Sequence, residues 1–230
     1  MGTANVDVIL NLSPPHNLAH VVAGEKDIYD VLVEGPAGVV VLPGGSGLQE
    51  LTALDDRQFA KLRSQFQRLE RFADVLLLDT GSGLSRSVTN FILAADETLL
   101  LTTPEPHAIT DAYALLKVLA GYDPKLPLRL VVNRVRDELE ARDIARKMLF
   151  ASEHFLGVEM GYLGHVSEDP AMSHAIRRQQ DLLTCVPRSR AAEDIRRLAA
   201  TLVAGGEGGS PAPAPRRPSL VQRIRSILRR

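Results

Sequence analysis

The chain alternates short apolar runs with longer stretches in which apolar residues recur every three or four positions. Val39-Val40-Val41-Leu42 is continuous rather than alternating and stops at Pro43-Gly44-Gly45, which predicts a buried strand. Residues 55–72 then set Phe59, Leu62, Phe66 and Leu69 at helical spacing with Arg, Lys and Gln between them. Asp55 with Gln58 three residues on has the form of a capping box at that helix's start. Val75-Leu76-Leu77-Leu78 is a second continuous run, the pattern of a strand buried on both faces. The pattern then predicts a helix to about 95, a strand at 98–102 and a helix to about 120. A strand at 128–132, a helix at 138–154, a strand near 158–163 and helices at about 169–178 and 189–203 complete it.

Strands separated by helices of this length imply right-handed crossovers, so the expected class is α/β with a doubly wound, mainly parallel sheet. Ligands in such sheets lie beyond the carboxyl ends of the strands. The loops after Leu42, Leu78, Leu101 and Val132 are therefore where function is sought. Residues 204–218 hold four Gly and four Pro without periodicity and read as a flexible linker. The expected organisation is a domain over 1–203, that linker, and a terminal helix over 219–230.

A hydrophobic content of 45% over 230 residues excludes disorder for the bulk of the chain. The net charge of −1 hides an asymmetry, because residues 216–230 hold six Arg and no acid. Cys185 is the only cysteine, so no disulfide framework or cysteine metal site is expected, nor is a histidine one. No apolar run approaches the roughly 20 residues of a spanning helix, and no signal peptide opens the chain. A cytoplasmic protein is expected.

Asp79-Thr80-Gly81-Ser82-Gly83 follows an apolar run directly. An acid there can hold a metal-bound water, and glycines let backbone N–H groups approach a terminal phosphate; a plain strand-to-helix turn uses the same residues. Asn133-Arg134 closes another strand. The Asn amide offers a donor and an acceptor to a base edge and the Arg plane can stack on the ring, or the pair merely makes a turn.

Taken together, GTANVDVIL (2–10), VVVLPGGSGLQEL (39–51), LLLDTGSG (76–83), TTPEPHAITDAYALLK (102–117), VVNRV (131–135) and SEDPAMSHAIRRQ (167–179) resemble the MinD/ParA family of deviant-Walker ATPases. Within it they are most similar to the branch that regulates flagellar number, the FleN/FlhG/YlxH type. The resemblance implies a P-loop NTPase fold and a switch that uses ATP and Mg2+, dimerises around two nucleotides and cycles on and off the inner face of the cell membrane. It implies partners among flagellar SRP-type GTPases, C-ring proteins or a flagellar transcription regulator, and no direct contact with nucleic acid. It places Asp79 near the metal through water, gives Gly81 and Gly83 the mobility of that loop, frames adenine with Asn133 and Arg134, and puts Asn5 and Asp7 in switch I.

One part of the family pattern is not met. A phosphate loop needs G-x-x-x-x-G-K-[ST], and none of Lys26, Lys61, Lys117, Lys125 and Lys147 follows a glycine. The first two strands of the fold and the hydrolytic aspartate are likewise expected to be missing from the residues at hand. An N-terminally incomplete chain is the reading adopted, with a nucleotide-free adaptor as the alternative. Exposed apolar side chains are expected beside the run at 75–78, and no ATP turnover is expected of residues 1–230.

The terminal helix opens at Ser219, a good N-cap. Leu220, Val221, Ile224, Ile227 and Leu228 form one apolar stripe flanked by Arg223, Arg225, Arg229 and Arg230. At this length it is marginal in water, and an anionic membrane surface would stabilise it by about 1 kcal/mol per basic residue as well as by apolar burial. Docking back onto the domain and RNA binding are the rival uses.

Overall fold

The computed structural model describes residues 6–44, 56–204, 220, 223 and 226. They fall into two compact units, one of residues 1–94 with 217–230 and the other of residues 95–216.

In the first unit the short helix α1 (Val6–Ile9) is followed by α2 (Leu18–Ala23). The Asn17 side chain caps α2, and Gly24, at φ 83°, ends it in the left-handed conformation a helix stop requires. Strands β1 (Val33–Glu34) and β2 (Val40–Val41) pair antiparallel. Helices α3 (Asp56–Phe72) and α4 (Arg86–Ala94) complete the unit. Leu62, Phe66 and Leu69 sit on the buried stripe of α3 and pack with Leu18, Val21, Ile28 and Val31. Arg68 on the same helix pairs with Asp27 and lies 4.5 Å over the Tyr29 ring, which ties α3 to the 3-10 turn at 28–31.

Two expected strands are corrected here. The run at 39–42 yields only the two-residue β2, half of an antiparallel hairpin, with Val39 57% exposed. Residues 75–79 form no ladder at all. Val75 and Leu77 are 67% and 79% exposed, the apolar exposure expected at this place. An extended apolar run becomes a strand only when a neighbour takes its N–H and C=O groups. Asp55 of the expected capping box lies outside the described residues.

The second unit carries the parallel sheet in the order β3 (Thr98–Thr102), β4 (Leu128–Val135), β5 (Gly161–Ser167). Helix α5 (Pro106–Ala120) joins β3 to β4, and α6 (Glu138–Leu156) joins β4 to β5. Asp137 caps α6 by accepting from the Glu140 N–H at 2.9 Å, and Gly157 at φ 64° ends it. After β5 come α7 (Pro170–Arg177), the one-turn α8 (Leu182–Cys185) and α9 (Arg190–Val203). Val131 and Val166 pack on the α7–α9 side with Ala175, Leu182, Ala191 and Ala192. Leu130 and Val132 are fully buried, as are Leu116 of α5 and Ala141 of α6. Both faces of β4 are covered, which is why its sequence is a nearly unbroken apolar run. The predicted class, order and parallel pairing of this half are those observed; β5 begins at Gly161, three residues later than expected.

Candidate functional site

The carboxyl ends of β3, β4 and β5 meet at one residue, Arg134. It is the seventh residue of β4 and stands at φ 60°, a left-handed backbone that a side chain with a Cβ adopts at a cost of about 1–3 kcal/mol. Two sets of contacts hold it there. Its own N–H donates to the Asn133 side-chain oxygen at 2.9 Å. Its guanidinium donates through Nε to Glu168 beyond β5 at 2.9 Å and lies 3.6 Å from Glu105 beyond β3. The hydrogen bonds it donates to Glu168, with the charges of Glu168 and Glu105, raise the Arg134 pKa above its ordinary value.

Glu105 is the N-cap residue of α5. A hydrogen bond from the Thr103 side chain, its own backbone N–H and the Arg134 charge hold its carboxyl below the usual carboxylate range, against the pull of burial. Its Oε2 and the Thr102 hydroxyl are buried with no hydrogen-bond partner among the described residues. Unsatisfied polar atoms at a strand end are unusual and suit a site that receives a donor. The Asn133 oxygen is spent on Arg134, so its amide N–H2 is the group left for a ligand edge.

The other predicted positions are distributed differently. Asp79, Gly81 and Gly83 belong to the first compact unit. Asp79 is exposed and makes no hydrogen bond or ion pair among the described residues. Gly83 has φ 104° with open space where a Cβ would stand, so that turn demands glycine for its backbone and not for crowding. The Asp7 carboxylate accepts from the neighbouring Val8 N–H, and its backbone carbonyl from the Leu12 N–H. Asn5 lies outside the described residues, as do Val221, Ile224, Ile227 and Leu228 of the apolar stripe. Glu105 and Glu168 were not among the residues singled out from sequence. Their signal was their position, each directly past a strand at the sheet's carboxyl edge.

Of the terminal segment, Leu220, Arg223 and Ser226 are described. Leu220 is 5% exposed and packs into the cluster of Leu18, Leu62, Phe66 and Leu69, and its N–H donates to Glu70 at 2.9 Å. His16 and His20 stand four residues apart with rings 5.0 Å from centre to centre, a spacing used by metal ligands. No group of three or more His, Cys, Asp or Glu able to hold a metal ion occurs among the described residues. No described helix is long and apolar enough to cross a membrane.

A parallel sheet with helices on both faces and a polar cluster at its carboxyl edge defines a doubly wound α/β domain of the kind that binds ligands beyond its strand ends. Solved structures agree. The cell division ATPase MinD of Pyrococcus furiosus is 26% identical, with a TM-score of 0.63 over 88% of this chain and 82% of its own. Among curated proteins, the antiactivator FleN of Pseudomonas aeruginosa is 37% identical over 191 residues, 83% of this chain and 68% of FleN. The flagellum site-determining protein YlxH of Helicobacter pylori is 28% identical over 211 residues, 91% of this chain and 71% of YlxH. No family model matches. The chain belongs to the MinD/ParA family of P-loop ATPases, on its flagellar-regulator branch with FleN and YlxH.

Proposed function

We propose that this protein is a membrane-associating switch that limits flagellar number and placement, using ATP and Mg2+ in the manner of its family. The observation that carries the switch is the docked Leu220, because a tail stored against the body is a tail that can be released. Leu220 begins a stripe whose other members, Val221, Ile224, Ile227 and Leu228, continue the apolar face in sequence, with Arg223 flanking it. Released, that stripe supplies a weak anionic-membrane anchor, and dimerisation would double it.

The residues present fit one part of a nucleotide. Asn133 and Arg134 would hold the base, with the buried Glu105 Oε2 as a nearby acceptor; for Asp79, a reach to Mg2+ through water rests on the family resemblance alone. The phosphates have no G-x-x-x-x-G-K-[ST] loop within residues 1–230, so no hydrolytic step is assigned to them. Nucleotide supplies binding energy that favours one state of the switch; the chain's own groups orient the base and hold the tail. The proposed partners are a second copy, a flagellar SRP-type GTPase, C-ring proteins or a flagellar transcription regulator.

Co-sedimentation with anionic vesicles tests the reading. The full chain should pellet, and a chain lacking Leu220 to Arg230 should stay in the supernatant. Equal pelleting of both would sink it. A nucleotide-independent adaptor would pellet identically with and without ATP even when a phosphate loop is supplied in frame.

A further inference from the structure

Strand β5 ends the parallel sheet, with β4 as its only partner among the described residues. Its outer edge is flanked by helices, α6 contributing Glu138 and Arg142 and α9 contributing Arg190 and Glu193. Between them, along the strand, runs an open slot of about 640 Å³. All of it lies in the second compact unit. A strand edge bounded by two helical walls is the geometry in which an extended segment adds to a sheet.

Three features give the slot a direction and a limit. The register of β5 slips beside Leu130 and Val131, so Tyr162 and Gly164 face consecutive residues of β4. Leu163 and Val166 go to the core, while Tyr162 and His165 both line the slot and touch at 3.4 Å. At the far end Asp194 accepts from both the Ser167 N–H at 2.8 Å and the Ser167 hydroxyl at 2.7 Å. That carboxylate occupies the edge there, so an added strand would stop short of Ser167.

The charges decide what kind of segment fits. Three arginines line the slot against three carboxylates, so it offers no net field for a polyanion. Arg142 is already paired with Glu138, and Arg197 with Asp194. The Arg190 guanidinium and the Glu193 carboxylate have no ion-pair partner among the described residues and stand three residues apart on α9.

We propose that the outer edge of β5 is a docking slot for an extended peptide segment of a partner protein, carrying one acidic and one basic side chain set to meet Arg190 and Glu193. Backbone hydrogen bonds along Tyr162–Val166 would supply the binding, and the two charges the orientation.

The test selects binders to the full chain from a phage-displayed library of linear peptides about ten residues long. Selected peptides should carry an acid and a base at fixed spacing and slow amide exchange across Tyr162–Val166 by at least about tenfold. The exposed double substitution Arg190→Glu with Glu193→Arg should weaken them about tenfold, and charge-swapped peptides should recover the loss. Absence of selected binders, binding indifferent to the swap, or protection confined to the helices would overturn the proposal. So would displacement by heparin, which would mark a polyanion site. Concentration-dependent protection of β5 without peptide would also overturn it, by assigning the edge to a second copy.

Discussion

The docking of Leu220 can be perturbed from either side, and the two perturbations should part company. Glu70 lies on the exposed side of α3 and, among the described residues, accepts from the Leu220 N–H at 2.9 Å. That N–H is one of the donors a helix start leaves unpaired, so Glu70→Ala removes a charge-assisted hydrogen bond worth about 1 kcal/mol at an exposed site. The docked-to-free ratio should fall about fivefold. Leu220→Ala removes a side chain that is 5% exposed in the core cluster, roughly 2 kcal/mol of docking. The same leucine would insert into a membrane, so its removal weakens the anchored state by a similar amount. Apparent vesicle affinity is the intrinsic affinity scaled by the free fraction. Glu70→Ala should therefore tighten binding to anionic vesicles by up to about fivefold, with Leu220 amide exchange faster by the same factor. Leu220→Ala should gain nothing. Unchanged exchange and unchanged vesicle binding in Glu70→Ala would refute the docked tail as a brake on membrane association; a larger gain in Leu220→Ala would refute Leu220 as part of the anchor.

Other expectations concern the second unit. Arg134→Gly should leave stability unchanged or raised by up to about 1 kcal/mol in urea unfolding, because it relieves φ 60° while losing only exposed ion pairs; Arg134→Ala, which keeps the strain, should lose about 0.5–1 kcal/mol. The reverse order would remove strain from the account. Gly164→Ala places a Cβ 2.7 Å from Leu198 Cδ2 at φ 148°, so it should cost about 2 kcal/mol, of which Leu198→Ala in the same chain rescues only the contact part. Asp169 accepts from the Ala171 and Ala191 N–H groups at the starts of α7 and α9, and these bonds, first among the causes, hold its carboxyl below the ordinary 3.8. A depressed folded-state pKa contributes stability that is present above the unfolded value and lost as pH falls through the folded one. Unfolding free energy should thus fall as pH drops below about 4, and Asp169→Asn should lower stability at pH 6 while flattening that acid slope; an unchanged slope would mean that other carboxylates set it.

The helices were legible in the sequence because a helix closes its hydrogen bonds within its own segment. Leu62, Phe66 and Leu69 fixed the buried face of α3, and the apolar spacing placed α6 at 138–154, within two residues of its observed end at Leu156. The parallel half of the sheet was legible too, since β4 is buried on both faces and its apolar run says so. The site was legible only in part. Asn133 and Arg134 could be picked out, yet their partners Glu105 and Glu168 lie 29 and 34 residues from Arg134 in the chain and reach it only because β3, β4 and β5 end side by side. Strand formation at 75–78 could not be decided from sequence, because the same four apolar residues are a strand or an exposed coil according to whether another strand lies beside them. Leu220 makes the same point for the tail. The sequence determined that 219–230 has one apolar face; the tertiary structure decided that Leu220 finds a hydrophobic site among Leu18, Leu62 and Leu69, since where an apolar face goes depends on which surfaces are within reach.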